Sequence, residues 1–163
     1  MPEKKTIEKA RKDKREGKSP STQAGEFVRE EIHHIREGKH GARSPKQAIA
    51  IALSEARRAG VKLPPPKEGK YSGEVRKKAE QDIEAGERRR KPSAKRSRAR
   101  LKALKKEPTS TASRAALSRQ AKTAAGKRTK RERSVSAKKA AKSRTPAQRS
   151  ASAKKAARTR ARK

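Results

Sequence analysis

The chain has 163 residues, of which 51 are Lys or Arg and 17 are Asp or Glu, for a net charge of +34. It contains no Cys, no Trp, one Phe and one Tyr, and its 28% apolar content leaves material for only a small core. Disulfides, thiolate metal sites and cysteine nucleophiles are excluded, and the shortage of aromatics argues against a protein that reads single strands or RNA by stacking bases.

No stretch approaches the roughly 20 apolar residues of a spanning helix, and the N-terminus lacks the apolar run of a signal peptide, so a cytoplasmic location is expected. Charge is strongly polarised along the chain. Residues 1–60 carry a net +6, residues 61–90 a net +3 and residues 91–163 a net +25, the last with only two acids, Glu107 and Glu132.

In chain order, residues 1–18 read as a charged flexible arm. Residues 19–63 read as a helical hairpin domain. Ser19-Pro20-Ser21-Thr22 supplies helix-starting residues, and Ala24, Phe27, Val28, Ile32 and Ile35 then recur at three- and four-residue steps. This predicts a first helix over 21–37, with Arg29, Glu30, Glu31, Arg36 and Glu37 mostly facing away and Gly38 as its stop. Ser44-Pro45-Lys46-Gln47 then gives an N-cap, a proline at the first helical position and a glutamine suited to a capping box. The second helix is expected over 45–59, with Ile49, Ala52, Leu53 and Ala56 on one face, Gly60 as its cap and Val61 folding back on its last turn.

Such a hairpin buries about eight apolar side chains at about 1.5 to 3 kcal/mol each, which hardly exceeds the ordering entropy of some 40 residues. A partner, or a second copy joined through the hairpin, is therefore expected. Pro64-Pro65-Pro66 opens a spacer over 64–90, in which Val75, Ala79 and Ile83 line up on a third helix over 73–85.

Residues 91–163 hold only four of Leu, Val, Ile or Met, namely Leu101, Leu104, Leu117 and Val135. Self-repulsion with so little to bury predicts a disordered polybasic tail, and the chain as a whole reads as mostly disordered, all-α where folded. Within the tail, residues 133–142 return sixteen residues later as 149–158, each copy containing Ser-Ala-Lys-Lys-Ala-Ala. Alanine and lysine form helices well, so these units are expected to become helical once phosphates screen them.

The residues assigned to phosphate contact are Lys127, Arg128, Lys130, Arg131, Arg133, Lys138, Lys139, Lys142, Arg144, Arg149, Lys154, Lys155, Arg158, Arg160, Arg162 and Lys163. Thr145-Pro146 reads as a phosphorylation site, whereas Ser19-Pro20 and Ser44-Pro45 are more simply helix starts. The cluster 127–133 has the look of a nuclear-import signal, but such clusters arise by chance in so basic a tail. The tail lacks the lipidation motifs and apolar anchors of a stable membrane attachment.

Catalytic and metal chemistry find little footing. Glu30, Glu31, Glu80, Asp82 and Glu84 read as partners of neighbouring Lys and Arg, since a chain with so small a core cannot build a water-excluding pocket, and no enzyme or small-molecule substrate is expected. His33, His34 and His40 lie within eight residues, but adjacent helical histidines point about 100° apart, and further ligands would have to come from Glu30, Glu31 or Glu37. They are read as solvated helix-end groups, with no metal or other cofactor assigned.

Two resemblances enter at these residues. The segment Val28–Gly60 is similar to a bacterial domain of unknown function found in small basic proteins, whose signature reads here from Lys46 to Arg57 as KQAIAIALSEAR. The tail resembles, in composition, those of linker histones and bacterial histone-like proteins, although no winged-helix domain accompanies it. Together these resemblances imply a bacterial nucleoid protein.

The function expected is sequence-nonspecific DNA binding by phosphate neutralisation, with double-stranded DNA as the partner. The alternative is an RNA- or ribosome-associated basic protein. A third reading makes the hairpin a partner-binding adaptor. Operator recognition is not expected, because the second helix offers mainly Ala, Ile and Leu where base-reading residues should stand.

Overall fold

A computed structural model of the protein describes residues 2–69, 71–88, 93–142 and 144–161. About three quarters of these residues are helical. The elements run α1 (Lys4–Arg15), α2 (Pro20–Arg36), α3 (Pro45–Arg58), α4 (Gly73–Glu87), α5 (Ala94–Leu104), a 3-10 turn η1 (Ser110–Ala112), α6 (Arg114–Gly126), α7 (Lys130–Lys142) and α8 (Pro146–Ala161). The chain divides into two units, one reaching Gln120 and the other starting at Ala121. Among the described residues no helix is long and apolar enough to cross a membrane.

In the first unit, α2 is the shared wall against which α1, α3 and η1 all pack. One apolar cluster joins Ala10 of α1, Ala24 and Phe27 of α2, Ala52 and Ala56 of α3, and Val61. A second joins Ile32 and Ile35 of α2, Ala42, Ala48 of α3, and Ala112 of η1. Most of these residues are alanines, so helices α2 and α3 close with little side chain between them, and Phe27 and Ile35 supply the bulk.

Caps fix where the helices begin and end. At the start of α3 the Gln47 amide N–H donates to Ser44 Oγ at 3.2 Å, and Gln47 Oε1 accepts from the Arg43 amide at 2.6 Å, one residue earlier than a simple capping box requires. At its end Gly60, with φ +89°, donates to the Arg57 carbonyl while Val61 donates to the Ala56 carbonyl, which returns Val61 to the core.

The expectation of a mostly disordered chain does not survive. Disorder was inferred from the lack of apolar surface, but an α-helix satisfies its backbone within itself, and Ala, Lys and Arg carry little intrinsic penalty in a helix. Residues 1–18 are not a flexible arm, because α1 lies along α2 and buries Thr6 and Ala10. The described part of 91–163 is not a disordered tail: α5 to α8 are formed, so helicity there does not await a nucleic acid.

The first part of that segment belongs to the hairpin unit. Gly41 and Ala42, in the α2–α3 connection, donate to the Leu104 and Pro108 carbonyls at 2.9 and 3.1 Å, and Arg36 Nε donates to the Ala112 carbonyl at 2.9 Å. Gly41 is required by this approach, since a Cβ there would collide with the Glu107 carbonyl. Leu117 packs on the second cluster from α6. Glu30 and Glu31 do not face away from the core either: they are 9% and 3% exposed, because α1 and the loop through His40 cover that flank of α2.

Helix α4 docks on α3 through a polar clamp. Asp82, 1% exposed, accepts from Ser54 Oγ at 2.6 Å and from Arg58 Nε at 2.7 Å. Gly86 sits so close that a Cβ would run into the Arg57 carbonyl. Helix propensity favours Ala over Gly by about 1 kcal/mol, yet Gly86→Ala is expected to destabilise the protein by roughly 1 to 3 kcal/mol in urea or thermal melts. Gly25→Ala on α2, where a Cβ meets nothing, is expected to stabilise it by about 0.5 to 1 kcal/mol. Equal effects at the two positions would show that α4 does not dock as described.

Candidate functional site

The assigned phosphate contacts fall on the last two helices and the turns before them. Lys127 and Arg128 precede α7, which carries Lys130, Arg131, Arg133, Lys138, Lys139 and Lys142. Arg144 precedes α8, which carries Arg149, Lys154, Lys155, Arg158 and Arg160. All of these side chains are exposed, and no residue of α6, α7 or α8 is buried. Arg162 and Lys163 lie outside the described residues.

At 100° per residue, Arg131, Lys138 and Lys142 share one face of α7 with Lys139 beside them, while Lys130 and Arg133 stand apart. Helix α8 repeats the arrangement, with Lys154 and Arg158 in line, Lys155 beside them, and Arg149 and Arg160 on the other side. Each helix thus presents cations around most of its circumference. Glu132 is the only acid after Glu107. Its carboxylate accepts from the Thr129 amide at 3.0 Å, capping α7.

The structure also shows what the sixteen-residue spacing organises, which the sequence reading missed. Helices α6, α7 and α8 begin at residues 114, 130 and 146, and each is preceded by a hydroxyl side chain that accepts from a backbone amide three residues on. Ala116 donates to Ser113 Oγ at 3.3 Å, Glu132 to Thr129 Oγ1 at 3.2 Å and Gln148 to Thr145 Oγ1 at 3.3 Å. In the last two copies the return bond is present as well, with Gln148 Oε1 accepting from the Thr145 amide at 3.1 Å.

Arg128 donates along α7 to Ser136 Oγ, and sixteen residues later Arg144 donates along α8 to Ser152 Oγ at 3.3 Å. The unit is therefore a capped basic helix, present three times, and its first copy keeps Ser118, Ala121, Lys122, Ala124 and Ala125 in register with Ser134, Ala137, Lys138, Ala140 and Ala141. The available signals were this partial identity and the hydroxyl at 113, 129 and 145. Thr145, read as a modification site before its proline, is an N-cap with Pro146 at the first helical position.

Thr129→Ala and Thr145→Ala are each expected to cost about 1 kcal/mol of local helix stability, and together to lower far-ultraviolet helicity while thermal unfolding of the first unit is unchanged. Full helicity in the double variant would refute the capping role.

The histidines are not alike. His33 is exposed and faces Glu37 at 2.9 Å, whereas the side chains of His34 and His40 are only 17% and 10% exposed, which corrects their reading as solvated groups. They point toward Glu30 and Glu31. Burial, then the charges of Glu55 and Glu30, pushes the Glu31 carboxyl from its usual 4.5 up to about 7, and burial raises Glu55 too.

A carboxyl raised on folding holds its proton more tightly in the folded chain. Its stabilising effect is therefore complete below the unfolded value near 4.5 and is lost as pH climbs through about 7. In thermal melts with a chelator present, Glu31→Gln is expected to flatten the decline of Tm between roughly pH 5 and 8. Parallel curves for the two proteins would contradict the raised carboxyl.

Comparison with curated proteins and with solved structures found no match. Residues 3–67, which span α1 to α3 and the extended segment that follows, match the protein family described as "Family of unknown function (DUF6496)", in keeping with the resemblance carried by Lys46–Arg57, while the basic helices lie outside the match.

Proposed function

We propose that the protein binds nucleic acid, with duplex DNA as its main partner, by neutralising phosphates through the exposed cations of α7, α8 and the turns before them, without reading sequence. The observation that carries this reading is the concentration of exposed Lys and Arg on capped helices that bury nothing and contain one acid. Duplex DNA carries a phosphate charge about every 1.7 Å of its axis, and each phosphate neutralised releases condensed counterions.

Short cationic helices of roughly 20 to 24 Å, at 1.5 Å per residue, can lie along such a backbone or in its grooves. Ala and Ser fill most of the positions between the cations, and Gln148, the one amide side chain on α7 and α8, has its Oε1 engaged in the cap of α8. The near absence of aromatics favours a duplex over stacked single strands. Nucleoid association follows from this reading for a bacterial cell.

The test is a salt titration of binding. If about ten phosphates are engaged, log K is expected to fall with log salt at a slope near −9, with equal affinity for unrelated duplexes. Replacing Lys138, Lys139, Lys154 and Lys155 by Gln, which keeps helix propensity, is expected to flatten the slope by about 3.6. A slope unchanged by the four replacements would remove these helices from the interface. A clear preference for structured RNA would replace duplex DNA as the partner.

A further inference from the structure

We propose that Glu31, His34 and His40 form a binding site for a divalent transition-metal cation of the zinc type, on the covered flank of α2. One ligand atom from each of the three residues lies within 4.8 Å of the other two. Glu31 and His34 stand three apart on α2 and so share a face of the helix. His40 reaches them from the α2–α3 connection, whose next two amides are tied to the Leu104 and Pro108 carbonyls. The third ligand is thus held by a fixed loop.

The hydrogen bonds around His40 prepare it for a cation. Its Nδ1 lies 3.1 Å from the Gly41 carbonyl, which can only accept, so that nitrogen carries the proton. In the neutral ring Nε2 then holds a lone pair, and it points at Glu31 Oε2 from 3.6 Å. That gap is too long for a hydrogen bond. It is close to the roughly 3.3 Å between neighbouring ligands of a tetrahedral ion with bonds of 2.0 to 2.1 Å. A backbone carbonyl on the far nitrogen is also the usual outer partner of a metal-bound histidine.

A second, independent observation points to a ligand. Glu31 is 3% exposed, and its Oε1 has no hydrogen-bond partner. Glu30 Oε2, on the neighbouring residue, is in the same condition. Buried carboxylate oxygens are normally satisfied, and a pair left open beside two inward-turned histidines asks for a cation.

The surroundings add negative charge. His34 Nε2 faces Glu3 Oε1 at 3.1 Å and Glu30 Oε1 at 3.7 Å, and Glu30 Oε1 also accepts from the Glu3 amide at 2.7 Å. Lys39 reaches Glu3 at 3.4 Å from the outside. In a chain of net charge +34, so tight a grouping of carboxylates stands out, and two histidines with a carboxylate suit zinc better than calcium or magnesium, which prefer oxygen alone. The site lies within residues 3–67 and does not depend on nucleic-acid binding.

The experiment uses the full chain, stripped with EDTA and titrated with Zn²⁺ by calorimetry and with Co²⁺ by visible absorption. One equivalent is expected to bind, with cobalt giving the ligand-field bands of a four-coordinate site that includes nitrogen. Glu31→Gln and His40→Ala are each expected to weaken binding by more than about 100-fold, beyond what loss of an outer partner costs. His33→Ala, on the exposed side of α2, should leave it unchanged.

Circular dichroism of each variant separates loss of ligand from loss of fold, and the near-isosteric Glu31→Gln is the decisive one. No saturable binding by the full chain overturns the proposal. So does binding that a folded Glu31→Gln variant retains, or that His33→Ala abolishes equally.

Discussion

The packing of α2 against α3 through alanine is the constraint on which the first unit depends. Ala24, Ala48, Ala52 and Ala56 are almost fully buried, so the two helices meet with little more than backbone and methyl groups between them. Larger residues there would force the helices apart. Close approach has consequences beyond the seam. It draws the eight-residue connection, 37–44, into a tight path, places Gly41 where only glycine fits against the Glu107 carbonyl, and turns His40 back toward α2. The 104–112 segment then latches onto that connection and onto Arg36, so a stretch poor in apolar residues is held mainly by backbone hydrogen bonds and one buried alanine, Ala112.

The parts of this fold that were legible in the sequence are those marked by short-range chemistry. Ser44-Pro45, Gly38 and Gly60 act within a few residues of themselves, so the bounds of α2 and α3 and the return of Val61 could be read directly. Helix α1 was not legible because its contribution is small and one-sided: Ala10, Thr6 and part of Ile7 in a segment otherwise made of Lys, Arg, Glu and Asp. The inward turn of Glu30 and Glu31 was hidden for a related reason. Periodicity assigns them to the flank of α2, and whether a flank is wet depends on what else arrives there, here α1 and the His40 loop.

The C-terminal helices expose a different limit. Composition indicates that residues 91–163 have no core, which holds for α7 and α8, where nothing is buried, but not for the stretch that buries Ala112 and packs Leu117 on the second cluster. It does not follow that they lack secondary structure. Helix formation is decided by propensity and by what satisfies the end groups, and three hydroxyl caps at a sixteen-residue interval supply the latter. Repetition was visible in the Ser-Ala-Lys-Lys-Ala-Ala units, whereas the caps that set its phase lie outside them: Ser113 carries no motif, Thr129 sits inside the basic cluster 127–133, and Thr145 reads as a modification site.

A preformed helix changes what a polybasic segment can do. On a coil, each lysine must be ordered along with its backbone when it meets a phosphate, and that ordering opposes binding. On a capped helix the backbone is already fixed, so counterion release is offset chiefly by side-chain ordering, and the spacing between cations is set in advance. Spacing set by a helix is indifferent to base sequence but not to the geometry of the phosphates. The same sixteen-residue unit, repeated with Pro146 in one copy and a glycine ending another, places breaks at regular intervals between short rods. Rods joined at such breaks can follow a curved duplex, which a single continuous helix of the same charge could not.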